Sequence, residues 1–465
     1  MNKGRAYFFC GVGGSGMTPL ALIVKAKGGS VEGSDRSLDQ GRNLARFDFL
    51  RGRGVELHPQ DGSGLTSSDQ TLVVSAAVEE TIPDVQAARR VGAPIVTRAA
   101  LLAQLFNAAT VRVGVAGTSG KSTTTAMIGW ILTETHADPT IVNGAEMKNF
   151  ISADAPFAGY RVGAGEAFVA EVDESDGSIA QFSPSVAVVN NISLDHKTMD
   201  ELRVLFADFV AKAQVAVLNL DNGETAALAR SGRAKRTITY SLKDGGADLY
   251  GDRVTLEPGG AVFTVSTADA RCEVCLQVPG LHNVSNALAA IGAATACGVS
   301  LKDSAAALAS FTGIRRRMEV AGTAGGVTVF DDFAHNPDKI TATLAALHAF
   351  PGRLLIMFQP HGFGPLKLMR QEFITTFAKG MAARDVLLMP QPVYFGGTTD
   401  RSVGSDAIVA GVMQMGRNAE ALSDRESCGD RLIDLAKPGD RIVVMGARDD
   451  TLSVFAGELV ARLAG

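Results

Sequence analysis

Residues 114–125 read Gly-Val-Ala-Gly-Thr-Ser-Gly-Lys-Ser-Thr-Thr-Thr and emerge from an apolar, strand-like run beginning at Val111. A strand, a glycine-rich turn, Gly-Lys-Ser and then a helix make a phosphate cradle. Glycines let backbone N–H groups converge on an anion, and the helix presents its positive N-terminal end to it. Lys121 is placed to reach the outer phosphates of a nucleoside triphosphate and Ser122 to hold Mg²⁺. Gly117, Thr118, Ser119, Gly120 and Thr123 complete the candidate cradle. The generic spacing calls for glycine at 115, where Val115 stands, so the loop is a compressed form belonging to a particular subfamily.

A chain of 465 residues is too long for one core and suggests about three domains. Hydrophobic residues make up 46% and charged residues 20%, ordinary globular values. The net charge of −5, with Lys and Arg dispersed, carries no nucleic-acid footprint. No apolar run approaches the roughly 20 residues of a membrane span. The run at 6–10 is too short for a signal-peptide core, so a cytoplasmic protein is expected. Five unevenly spaced cysteines fit reduced thiols. The Cys272/Cys275 pair lies in a strand-like pattern without partner histidines, which argues against zinc.

Three consecutive α/β blocks are expected: 1–108, 109–314 and 315–465. In the first, a strand at 7–10 runs into Gly11-Val12-Gly13-Gly14-Ser15-Gly16, with Gly33-Ser34-Asp35 after the next strand. That spacing matches the dinucleotide-binding fingerprint; physically it marks a helix N-terminus open to a diphosphate, whichever nucleotide carries it. The second block holds the phosphate loop, strands at 167–170 and 185–189, and a small β meander at 247–278. The third alternates strands and helices again, as an open parallel sheet requires. The run 313–317, ending in three arginines, is read as a hinge into it.

The segment 170–176 supplies four carboxylates at the end of a predicted strand, the edge where parallel sheets bind ligands. Glu171, first after the strand, and His196, beyond the next strand, are candidate Mg²⁺ ligands beside the phosphates.

Six segments taken together resemble the Mur ligases, ATP-dependent enzymes that build the peptide stem of peptidoglycan. They are 116–122, Asp173-Glu174-Ser175, 191–196, Gly280-Leu281-His282-Asn283-Val284-Ser285-Asn286, Arg316-Arg317 and Asp331-Asp332-Phe333-Ala334-His335-Asn336-Pro337. The N-terminal block is similar to the branch containing the UDP-N-acetylmuramate:L-alanine ligases and the muropeptide-recycling ligases. The resemblance implies a Rossmann-like UDP-sugar domain, a P-loop ATPase-like central domain and a Rossmann-like C-terminal domain. It implies a cytoplasmic ligase, a monomer or weak dimer, that activates the carboxylate of UDP-N-acetylmuramate as an acyl phosphate and joins it to an amine. That amine is L-alanine, or alternatively the tripeptide L-Ala-γ-D-Glu-meso-diaminopimelate or another acceptor. In this reading Gly13, Gly14, Ser15, Gly16, Met17, Asp35, Ser75, Ala76 and Arg98 hold the UDP-sugar, and Ser175 orients it. Lys121, Glu171, His196 and Arg317 act at the transferring phosphoryl group. Asn283 reads adenine, Asp332 and Asn336 join the ATP site, and His361 borders the amine. Closure of the third block about 313–317 is expected. A dehydrogenase reading of Gly11–Gly16 leaves the phosphate loop unexplained, and a non-catalytic scaffold would not need Lys121, Glu171 and His196 intact.

The chain departs from the family in two places. Lys212 falls roughly where some members carry a carbamylated lysine, which this branch generally lacks. In Gln359-Pro360-His361-Gly362-Phe363-Gly364-Pro365, Gly362 and Pro365 stand where alanine-adding enzymes place arginines. Arginine forks bind carboxylates bidentately, so looser selection of the amine is expected, with Lys367 or Arg370 as substitutes and Gly362→Arg as a repair provided the backbone there admits a side chain.

Overall fold

The computed structural model describes residues 6–75, 79–194, 197–393, 401–447, 449 and 451–465. They form a three-domain α/β fold built on three sheets. The N-terminal sheet is wholly parallel, with strands in spatial order Glu56–His58, Ser30–Ser34, Ala6–Cys10, Gln70–Val74 and Ile95–Thr97. Strand order reverses beside Ala6–Cys10, so the glycine loop that follows this strand lies at the sheet's switch point, where such folds bind ligands.

The central sheet has ten strands. Val111–Ala116 sits between Val186–Val189 and Ala167–Glu171, all parallel. On the far side of Val186–Val189 the chain continues through Val215–Asn219 and Arg236–Ser241 into Leu249–Glu257, Gly260–Ser266 and Arg271–Leu276, the expected meander. The C-terminal sheet runs Glu319–Ala324, Val327–Asp332, Arg441–Gly446, Leu354–Gln359, Val386–Pro390 and Asn418–Leu422. Its first pair is antiparallel and the rest parallel.

The chain divides into two compact units. One joins the N-terminal sheet to most of the central sheet; the other comprises Thr255–Ala261, Gln277–His282 and Gly313–Gly465. Within the first unit, helix Arg98–Asn107 ties the two sheets together. Its Phe106 is fully buried and meets Phe168 and Phe182 edge-on at centroid distances of 5.8 and 5.4 Å. Aromatic burial on this scale makes a shared core rather than a loose linker. Among the described residues no helix is long and apolar enough to cross a membrane.

Candidate functional site

The phosphate loop is shaped by the ends of neighbouring strands. Gly117 (φ +126°) and Gly120 (φ +83°) lie in the left-handed region that side-chain-bearing residues avoid. Crowding excludes a side chain as well. A Cβ on Gly117 would stand 2.9 Å from the Asn191 carbonyl, and one on Gly120 would overlap Asn286 Oδ1. The polypeptide after Val186–Val189 holds the loop open from the other side. Thr118 N donates to the Asn191 carbonyl (3.0 Å), Ser119 N donates to Asn191 Oδ1 (2.8 Å), and Asn190 Nδ2 donates to Thr124 Oγ1 (2.9 Å). Helix Lys121–Glu134 then starts at Gly120. Asn190 and Asn191 thus build the loop, a role that the sequence does not assign them although Asn191 opens the 191–196 segment.

Lys121 Nζ donates to the Gly117 carbonyl (2.8 Å) and to Glu174 Oε2 (2.9 Å). Burial works against its charged form, but the carboxylates of Glu174, Glu171 and Asp173 outweigh it and hold the ammonium above its ordinary pKa. Burial pushes Glu174 up against the pull of Lys121. Burial also opposes ionisation of Asp173. The Ser175 N–H and the charges of Lys121 and Arg98 prevail and hold that carboxyl below the usual range. Glu171 is the register partner of Val115, which sets it beside the loop, and its Oε2 accepts from Gly144 N (2.8 Å). Ser122 is buried, and its carbonyl accepts from Asn143 Nδ2 (3.1 Å). Asn283, on helix Leu281–Ala296, is also buried and accepts through Oδ1 from Asn286, the residue that crowds Gly120. Glu174, which the sequence marks only as part of a motif, is thus the counter-ion of Lys121. His196 and Ala76 lie outside the described residues. Among the described residues no group of three His, Cys, Asp or Glu side chains is poised for a metal.

In the N-terminal glycine loop, Asp35 is occupied with architecture. Its Oδ2 accepts from Gly13 N (2.9 Å) and its Oδ1 from Ser37 N (2.8 Å). Gly13 abuts Phe47, Gly14 folds back so that its carbonyl takes the Met17 and Thr18 amides, and Met17 is buried. Arg98 lies against Gly16: a Cβ there would meet its Cδ, Nε and Cζ at 3.2–3.4 Å. Arg98 also lowers Asp173, so its charge bears on both loops. Ser75 follows Gln70–Val74 and is half-buried.

In the C-terminal unit, the guanidinium carbons of Arg316 and Arg317 sit 5.1 and 4.8 Å from the Phe333 ring centroid. Arg316 is buried and donates to the Gly446 carbonyl (2.8 Å). Asp332 accepts from the Met318 and Ala334 amides (both 2.7 Å), and Asn336 caps helix Pro337–His348 through the Lys339 amide (3.0 Å). Asp332 therefore fixes the backbone next to Arg317, and Asn336 fixes the start of the helix that follows. His335, not singled out from sequence, stacks edge-on with His361 at 5.4 Å, and its Nδ1 meets the Phe333 carbonyl at 2.8 Å. Burial, with Lys339, His361 and Arg317 nearby, pushes its pKa down to about 3. The proposed repair at Gly362 needs correction. Its φ of +152° is a conformation that L side chains rarely adopt, so an arginine there is strained even though space is open. Lys212 is held by the Ala180 carbonyl (2.7 Å) and Asp208 (2.6 Å), a structural cation at the end of helix Met199–Ala211.

Three family profiles tile this chain. The Mur ligase family catalytic domain matches 6–110, the Mur ligase middle domain 115–294, and the Mur ligase glutamate ligase domain 316–448. A UDP-N-acetylmuramate–L-alanine ligase of Agrobacterium fabrum is 35% identical over 463 residues, covering 95% of this chain and 94% of that protein. The chain belongs to the Mur ligase family. A second such ligase, from Geotalea daltonii, is 35% identical over 450 residues, with 94% of each chain covered. The solved UDP-N-acetylmuramate-alanine ligase of Thermotoga maritima shares the fold at a TM-score of 0.79, with 24% identity and 98% of both chains covered. A murein peptide ligase of Psychrobacter arcticus does so at 0.70, with 24% identity and 99% coverage. As a Mur ligase the chain carries its glycine loop, its Gly-Lys-Ser loop and the Arg316-Arg317 pair within the three successive matched segments.

Proposed function

We propose that this Mur ligase is an ATP-dependent, ADP-forming ligase that joins the carboxylate of UDP-N-acetylmuramate to the amine of L-alanine in peptidoglycan precursor synthesis. The end-to-end similarity to relatives of that name carries the substrate assignment. A carboxylate is a poor electrophile because oxide is a poor leaving group. One of its oxygens attacks the γ-phosphorus of ATP, the P–O bond to ADP breaks, and an acyl phosphate forms. The amine then attacks the acyl carbon, the C–O bond to phosphate breaks, and the amine gives up a proton.

The protein's part is positioning and charge neutralisation. Lys121 takes the β/γ-phosphates above Gly117–Ser122, and Asn283 meets the adenine. Arg317 is the C-terminal unit's charge for the phosphoryl group, Asp332, which fixes the backbone beside it, closes onto the ATP with it, and Asn336 joins the ATP site. Gly13–Met17, Ser75, Ala76 and Arg98 face the UDP-sugar, with Asp35 fixing their loop, Ser175 orients the acyl end, and His361 borders the amine. Mg²⁺ takes oxygen donors, and the Ser122 hydroxyl, at the start of the phosphate-loop helix, and the Glu171 carboxylate, on the strand paired with Val111–Ala116, are donors of that kind. Ser122 and Glu171, with His196, would hold it, and it would neutralise charge on the transferring group. The division at 108 and 314 and a cytoplasmic location, where ATP and the sugar nucleotide are found, belong to the same proposal. ADP release measured with UDP-N-acetylmuramate and L-alanine, each omitted in turn, tests it: release that does not need the sugar nucleotide overturns it.

A further inference from the structure

Cys10 and Ser34 end neighbouring parallel strands and are register partners, so their side chains leave the same face of the N-terminal sheet. Helix Pro83–Val91 packs on that face and sets Asp84, its second residue, against them, fully buried. Ser34 Oγ donates to Asp84 Oδ2 (2.5 Å), and Gly62 N donates to Asp84 Oδ1 (3.0 Å). The Cys10 thiol is a third donor. Burial, and then the Asp84 charge, push its pKa up to about 12, which keeps the proton on sulfur. Burial pushes Asp84 itself up, and Ser34, Cys10 and Gly62 pull it back. A carboxylate in the interior is costly unless hydrogen-bonded, and this one gathers donors from three separate segments. Gly62 is shaped for the approach: its φ is +84°, and a Cβ there would stand 2.9 Å from the Pro83 carbonyl.

Ser34 joins this buried carboxylate to the glycine loop. Its carbonyl accepts from Gly11 N (2.8 Å) and Val12 N (3.0 Å), while the next residue, Asp35, takes Gly13 N (2.9 Å). Gly14 N turns back to the Gly11 carbonyl (3.0 Å). The first four amides of the loop are thereby tied within the protein. Among the described residues the Ser15 and Gly16 amides make no such bond, and Ser15 is exposed. These two amides open the helix Met17–Ala26, where the backbone favours an anion.

We infer that Asp84 is a positioning residue for sugar-nucleotide binding. Through Ser34 it holds the glycine loop in the arrangement that leaves the Ser15 and Gly16 amides for the diphosphate. It does so from beneath the loop, without touching the ligand. A loop fixed in advance loses no freedom when the ligand arrives, and that difference appears as affinity. This inference rests on the sugar-nucleotide substrate proposed above.

The test is calorimetric titration of UDP and of UDP-N-acetylmuramate, without ATP, into the full chain and its Asp84→Asn and Ser34→Ala variants. Asp84→Asn keeps the shape but turns an acceptor into a donor. Ser34→Ala removes the link and leaves Asp84 on Gly62 and Cys10. Both ligands should weaken roughly tenfold in each variant, because they share the diphosphate. In turnover, KM for the sugar nucleotide should rise by the same factor while kcat and KM for ATP stay as in the parent. Unchanged UDP affinity in either folded variant overturns the inference. So does a parallel loss of kcat and of ATP affinity, which marks a purely structural role. If Asp84→Asn does not fold, Ser34→Ala decides alone. An unmodified chain that binds neither UDP nor UDP-N-acetylmuramate defeats the proposed function and this inference with it; tight binding by that chain with indifferent variants defeats only the inference.

Discussion

Lys121 Nζ lies 2.9 Å from Glu174 Oε2, and their side chains are only 15% and 5% exposed. Breaking a buried pair by removing one partner costs far more than the pair is worth, about 3–5 kcal/mol. An arriving triphosphate therefore meets a lysine already charged and held by an exchangeable counter-ion. Glu174→Gln is expected to lower thermal stability without nucleotide and to show a larger stabilisation by an ATP analogue than the parent. Equal nucleotide-induced shifts in the two proteins would show that Lys121 does not change partners.

Lys121→Ala should reduce turnover by orders of magnitude while UDP binding to the N-terminal sheet persists, since the lysine is asked only to neutralise phosphoryl charge. Glu171→Ala should shift the Mg²⁺ titration of activity to much higher concentration, having removed one oxygen ligand of a hard cation. Near-normal ADP formation in the first variant, or an unmoved Mg²⁺ curve in the second, refutes the corresponding role.

Gly120 and Gly28 share almost the same backbone angle, φ +83° and +86°, but only Gly120 is crowded, with Asn190 Nδ2 at 2.8 Å from a would-be Cβ. Alanine at Gly28 should cost only backbone strain, of order 1 kcal/mol. Alanine at Gly120 should cost clearly more and abolish ATP binding, because Asn190 and Asn286 must give way. Denaturant unfolding of both variants with ATP-analogue binding checks this, and similar behaviour of the two would remove crowding as the cause.

These contrasts mark what was legible in the chain. The strand–glycine–lysine order placed the phosphate loop, and apolar runs ending in carboxylates placed Glu171, because period and turn chemistry are local properties. Glu174 was hidden because four carboxylates in six residues look alike until the fold buries one against Lys121. Asp35 and Asp332 read as ligand groups, yet their carboxylates are taken up by backbone amides, a fact set by loop geometry. The strain at Gly362 was likewise invisible, since sequence shows a glycine but not its φ.

His335 supplies a pH signature. Its folded pKa is pushed down to about 3 from an ordinary 6.5, so the folded chain carries it neutral where the unfolded chain begins to protonate it. Between those values the unfolded state binds more protons. Stability contributed by the neutral imidazole is thus complete above pH 6.5 and is lost as pH falls below it, by up to about 1.4 kcal/mol per unit. His335→Gln should flatten the acid limb of stability between pH 7 and 5 in denaturant titrations. Parallel acid limbs in the two proteins would assign the sensitivity to other groups.

The incoming amine is the remaining test of substrate choice. His361 precedes Gly362 and the short helix Phe363–Leu368, and no arginine stands at 362 or 365 to grip a carboxylate with two parallel N–H bonds. Selection of L-alanine then depends mainly on shape, and a single methyl or hydroxyl difference in such a pocket is worth only about 1–3 kcal/mol. L-alanine should be the preferred amine, with glycine, L-serine and L-Ala-γ-D-Glu-meso-diaminopimelate competing measurably when all four are offered with UDP-N-acetylmuramate. Gly362→Arg should not sharpen that preference, because φ +152° strains any side chain at the position before its guanidinium can reach a carboxylate. Exclusive use of L-alanine by the unmodified chain would show that other residues hold its carboxylate, and improved selectivity in Gly362→Arg would show that the loop relaxes to admit the arginine.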